Sequence, residues 1–145
     1  MSDSRLNVFN YEPRRSKIGI DEKENNVTRA LLNCLKNSPE FLKYFFHHIS
    51  QAVNINFSIK SPIEFIFQVN KNDRGKTKNK NKKILLYIKS KYNLGEIGGS
   101  DEAKGLLPDG LISSEDFAIL IEAKVNAPKD NSQIDRYKEH YFKNK

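Results

Sequence analysis

The chain has 145 residues, 37% of them hydrophobic and 30% charged, one domain's length with enough apolar material for a core. Its net charge is +7, and no apolar run approaches the roughly 20 residues that span a bilayer, so no membrane partner is expected. The single cysteine, Cys34, excludes an internal disulfide and a multi-cysteine zinc site, and a lone thiol suits a reducing cytoplasm.

Residues 1–20 lack periodicity, carry Pro13, Arg14 and Arg15, and read as an N-terminal arm without the apolar core of a secretory signal. Residues 21–145 read as the domain. From Glu24, the residues Val27, Ala30, Leu31, Cys34 and Leu35 recur at helical spacing and predict a helix burying that face. Asn37-Ser38-Pro39 ends it and opens a second helix, with Ser38 as N-cap and Pro39 in the first turn. The second helix should bury Leu42, Phe45, Phe46, Ile49 and Val53, leaving His47 and His48 on its surface.

Ile63–Val69 and Ile84–Ile88 are rich in branched and aromatic residues and predict strands. The segment between them suggests a hairpin across a mobile tip. A Gly-punctuated loop follows at Asn93–Gly105. Two further strands, Asp109–Ser113 and Phe117–Val125, flank a turn at Ser114-Glu115-Asp116. Ser132 can cap a last helix whose Ile134, Tyr137 and Tyr141 share a face. Two helices, four strands and a helix make a mixed α/β domain.

Charge is concentrated in Asn70–Lys83, "NKNDRGKTKNKNKK", where Lys71, Arg74, Lys76, Lys78, Lys80, Lys82 and Lys83 meet one acid, Asp73. The rest of the chain carries 18 basic against 17 acidic residues. Such a block attracts polyanions and steers them, so these seven residues are candidate nucleic-acid contacts. A solvated, lysine-rich surface loop is the plainer alternative.

The stretch Phe117–Val125 begins apolar on both faces, as an interior strand does, yet ends in Glu122 and Lys124. Those two share one face, about 7 Å apart by the rise per residue of a strand. Charges near a core cost several kcal/mol unless compensated, by a salt bridge, by emergence into solvent, or by a site. Asp109, after Pro108, lies one short hairpin upstream and should come beside Glu122. Two neighbouring carboxylates repel unless a cation lies between them, so removing Asp109 should relieve the strain of a metal-free site. Oxygen donors of this kind suit Mg²⁺, and an adjacent ammonium can offset charge on a phosphate.

Pro108-Asp109 followed by Glu122-Ala123-Lys124 resembles the PD-(D/E)xK nuclease superfamily. Gln133-Ile134-Asp135-Arg136-Tyr137 is similar to the Gln-x-x-x-Tyr helix of its exonuclease-like branches, and Glu24 stands in a first helix where many members carry an acid. The resemblance is close over Pro108–Tyr137 and looser from Glu22 onward. It implies a restriction-endonuclease-like αβββαβ core, a mixed central sheet flanked by helices, and Mg²⁺- or Mn²⁺-dependent hydrolysis of phosphodiesters. Asp109, Glu122 and the Ala123 carbonyl would hold the metal, with Glu24 as a further ligand. Lys124 would position the attacking water, and Gln133 and Tyr137 would contact the phosphate or orient Lys124. The expected substrate is DNA, with RNA left open, in a restriction or anti-phage setting.

The family's final strand is missing, because the chain stops at Lys145 within or just past the last helix. One sheet edge is then expected to be open, and further domains, a partner subunit or a second copy would cover it. Two other readings compete: a nuclease-fold module that binds nucleic acid or protein without cutting, and a small basic RNA-binding protein. The latter leaves the Asp, Glu and Lys pattern without a purpose.

Overall fold

A computed structural model describes residues 19–89, 107–124 and 131–142, the side chains of 19–25 and 131 excepted. The arm at 1–18, the loop at Asn93–Gly105 and the strand end at Val125 lie outside the described residues. Helix α1 (Gly19–Asn37) runs into α2 (Pro39–Val53) through the predicted cap, where the Phe41 N–H donates to Ser38 Oγ. Strands β1 (Glu64–Phe67), β2 (Lys82–Lys89), β3 (Gly110–Ser113) and β4 (Phe117–Lys124) form one mixed sheet. Helix α3 (Asn131–Tyr137) starts one residue before the predicted cap Ser132 and widens into a π-turn at Lys138–Phe142. The architecture is α/β, as expected.

The strand order is β1-β3-β4-β2, which corrects the predicted β1–β2 hairpin. The tight turn after β3 pairs it antiparallel with β4, and β1 adds antiparallel to β3's other side. Strand β2 instead lies parallel to β4, Lys82 opposite Phe117 through to Lys89 opposite Lys124. Adjacency in sequence suggested the hairpin, but β4 is apolar on both faces and needs partners on both edges. Strand β2 pairs with β4 over its full length, and among the described residues the sheet's edge strands are β1 and β2.

Alternation along β4 divides two cores. Phe117, Ile119 and Ile121 face Leu32, Leu35 and Phe46 of α1 and α2, whereas Ala118 and Leu120 face Tyr137 and Tyr141. Glu122 and Lys124 therefore fall on the α3 side.

Helix α1 is rotated from its predicted face: Thr28, Leu32 and Leu35 are buried, Leu31 is partly so, and Val27 and Cys34 are exposed. A polar Thr masked the true stripe. In α2, Phe46 is buried with Leu42, Phe45 and Ile49 packed around it, but Val53 is exposed. His47 and His48 lie on the surface, His48 edge-on to Tyr44.

The reason Thr28 faces inward is Gly110. A Cβ there would stand 2.9 Å from Thr28 Cγ2 and 3.2 Å from Leu32 Cδ1, so only glycine lets α1 approach this close. Gly110→Ala should cost about 1–3 kcal/mol by overpacking. Adding Thr28→Ser, which removes the obstructing methyl, should recover part of it; denaturant titration of the single and double variants reads both.

The basic segment is no mobile tip. Lys71–Lys76 form a 3₁₀ helix, with the Asn72 N–H donating to Asn70 Oδ1 and the Asn70 N–H to Asp73 Oδ2. Lys76 pairs with Glu64 and Asp73, and Lys82 with Asp116 at 2.7 Å. Lys80 donates to the Ser114 carbonyl, Lys83 to that of Phe142, and Arg74 reaches Tyr141. These cations tie the segment to the β3–β4 turn and to the end of the last helix. Lys71 and Lys78 are exposed, with no such partner among the described residues.

Candidate active site

Of the predicted site residues, Asp109, Glu122, Lys124, Gln133 and Tyr137 meet at the C-terminal end of β4. Because Gly110 pairs with Ile121, Asp109 falls beside Glu122, on the face toward α3. The Ala123 N–H donates to Asp109 Oδ2 at 2.8 Å, which fixes that carboxylate across the strand gap. Deleting Asp109 therefore strands a buried backbone donor, and the expected relief of a metal-free site gives way to a loss.

Glu122 is 3% exposed, a carboxylate that burial would penalise heavily if it stood alone. Its oxygens are met from three sides. Gln133 Nε2 donates to Oε1 at 2.9 Å, the Tyr137 hydroxyl donates to Oε2 at 2.9 Å, and Lys124 Nζ stands 3.2 Å from Oε1. Gln133 also donates to the Tyr137 oxygen at 3.3 Å, so the two side chains form one directed chain ending on Glu122. Four residues apart on α3, they lie on one helical face, and Tyr137 adds its ring to the apolar core. Burial, then the nearby charge of Glu122, holds the Tyr137 phenol above its ordinary pKa, so it serves as a neutral donor.

These contacts refine the expectation for α3. Gln133 and Tyr137 do face the site, but in this arrangement they hold Glu122. The π-turn begins directly after Tyr137 and lets Tyr141 bury against the same sheet face.

Glu24 lies in α1, its side chain outside the described residues. Its position is one turn N-terminal to Thr28, the residue packed on Gly110 next to Asp109. Among the described residues, no three His, Cys, Asp or Glu side chains come together as a metal cluster. Asp109 and Glu122 bring two carboxylates to adjoining strands, and oxygen donors are what hard divalent cations take. The ammonium of Lys124 already places positive charge against Glu122.

Comparison with protein-family models, curated proteins and solved structures finds no match. The site thus stands on its own geometry.

Two neighbours were not legible in the sequence. The parallel register sets Tyr87 beside Glu122 and Lys89 beside Lys124, and alternation puts both on the α3 side, like Leu85. The basic segment, by contrast, enters β2 at Lys82, opposite Phe117. That is five residues, about 17 Å of strand, from Glu122. Four of its lysines, at 76, 80, 82 and 83, have intrachain partners there. No helix among the described residues is long and apolar enough to cross a membrane.

Proposed function

We propose that this chain is a metal-dependent nuclease of the PD-(D/E)xK type, with a restriction-endonuclease-like core, that hydrolyses phosphodiester bonds of DNA. The observation that carries the reading is the convergence on Glu122 of Lys124, Gln133 and Tyr137, with Asp109 on the adjoining strand. A structural ion pair would account for Gln133 and Tyr137, which satisfy the buried carboxylate, but not for a second carboxylate, Asp109, beside it.

Asp109, Glu122 and the Ala123 carbonyl would hold Mg²⁺ or Mn²⁺, which when bound acidifies water and draws charge from a phosphate. The chain's own groups do the rest. Glu122, pinned by Gln133 and Tyr137, keeps one orientation as charge changes around it. Lys124 orients the attacking water and offsets negative charge as that water's oxygen bonds to phosphorus and the ester P–O bond breaks. The attacking water gives up its proton to solvent, and the departing oxygen takes one up from solvent. Tyr137, a neutral donor, takes no part in either transfer.

The test is incubation with supercoiled plasmid, linear duplex, single-stranded DNA and RNA in Mg²⁺, Mn²⁺ or EDTA. The expected result is cleavage of DNA in either metal and none in EDTA. Cleavage that persists in EDTA overturns the mechanism, and tight DNA binding without cleavage in any metal assigns the chain to the non-cutting module instead.

A further inference from the structure

Resting on that reading, we infer that Lys89, a residue outside the motif, contacts the substrate's phosphate backbone at the site. Strands β2 and β4 run parallel in a register that places Lys89 directly beside Lys124. Both side chains project toward α3, on the face that carries Glu122, at the end of the sheet where the carboxylates stand. Like charges at neighbouring positions of paired strands repel, and an anion between them removes the cost. Lys124 has Glu122. Lys89 is exposed and meets no ion-pair partner among the described residues.

The other lysines of β2 make the contrast. Lys82 is committed to Asp116 and Lys83 to the Phe142 carbonyl, both toward the far end of the strand. Lys89 alone of the three stands at the end where the chemistry is. A phosphate one or two positions from the scissile one would satisfy it, while Lys124 serves the reacting group.

The experiment uses Lys89→Gln and Lys89→Arg in the full chain, with a labelled linear DNA duplex and Mg²⁺. Cleavage by Lys89→Gln should show KM raised about three- to tenfold with kcat within about twofold. Binding measured in an Asp109→Asn background should lose about one unit of its log–log salt slope. Mg²⁺ affinity by calorimetry should not move, and Lys89→Arg should restore KM. An unchanged KM and salt slope overturn the inference. So does a lowered Mg²⁺ affinity, which would make Lys89 part of the metal's surroundings rather than of the DNA contact. Failure of the unsubstituted chain to cleave, with a salt slope that still depends on Lys89, would sink the nuclease reading and leave this contact standing. A chain that binds no DNA sinks both.

Discussion

Lys124→Ala and Asp109→Asn should each lower kcat on DNA by about a thousandfold or more, since each removes charge at the developing transition state. The choice of Asn matters. Asp109 Oδ2 accepts from the buried Ala123 N–H, and an Asn amide oxygen can still accept there, whereas Ala cannot. Asp109→Asn should therefore melt within a degree or two of the parent, and Asp109→Ala should lose about 1–2 kcal/mol as well as activity. Lys124→Ala leaves Glu122 its two other donors, Gln133 and Tyr137, but removes its closest positive charge. Its stability loss should be modest, because the Lys124 side chain is 24% exposed and water can replace part of the ammonium. Kinetics with metal in excess, read beside thermal melts, separate the two effects. Activity within tenfold of the parent in either charge-removing variant would contradict the assigned roles.

The parts of this site that were legible lie close in sequence. The sequence places Asp109 and Glu122 on strands joined by a turn at Ser114-Glu115-Asp116. The structure closes that turn on Glu115-Asp116, with the Ser114 N–H donating to the Phe117 carbonyl, and this register sets Asp109 beside Glu122. The helical spacing of Gln133 and Tyr137 is equally local. What escaped was decided at long range. Strand β2 has two possible partners by composition, and the choice of β4 over β1 follows from β4's need for a second partner, which no local pattern states. With that choice went Lys89 and Tyr87. The basic segment hid its contacts for a related reason: the carbonyl and carboxylate partners of Lys80 and Lys82 lie some 34 residues away in sequence. Thr28 was overlooked because a hydroxyl breaks an apolar stripe, although a small side chain is what the approach to Gly110 requires.

Phe117→Ala should be the most destabilising single change, about 3–5 kcal/mol. Phe117 is fully buried at the start of β4, its ring edge-on to Phe46 at 5.3 Å and to Phe57 at 5.2 Å. Truncation leaves a cavity beneath α2, where Phe46 and Phe57 lose the ring they share. Against the 5–15 kcal/mol typical of a domain, that loss should lower the melting temperature by roughly 10–15 °C. Phe117→Leu, which keeps most of the volume, should cost less than half as much. The position lies about 17 Å along the strand from Glu122, so per folded molecule the chemistry should be untouched. Cleavage by Phe117→Ala at 10 °C, corrected for the folded fraction from circular dichroism, should match the parent within about twofold. A stability loss below about 1 kcal/mol would mean that this aromatic cluster does not join α2 to the sheet. A large fall in corrected activity would mean that the far end of β4 is coupled to Glu122.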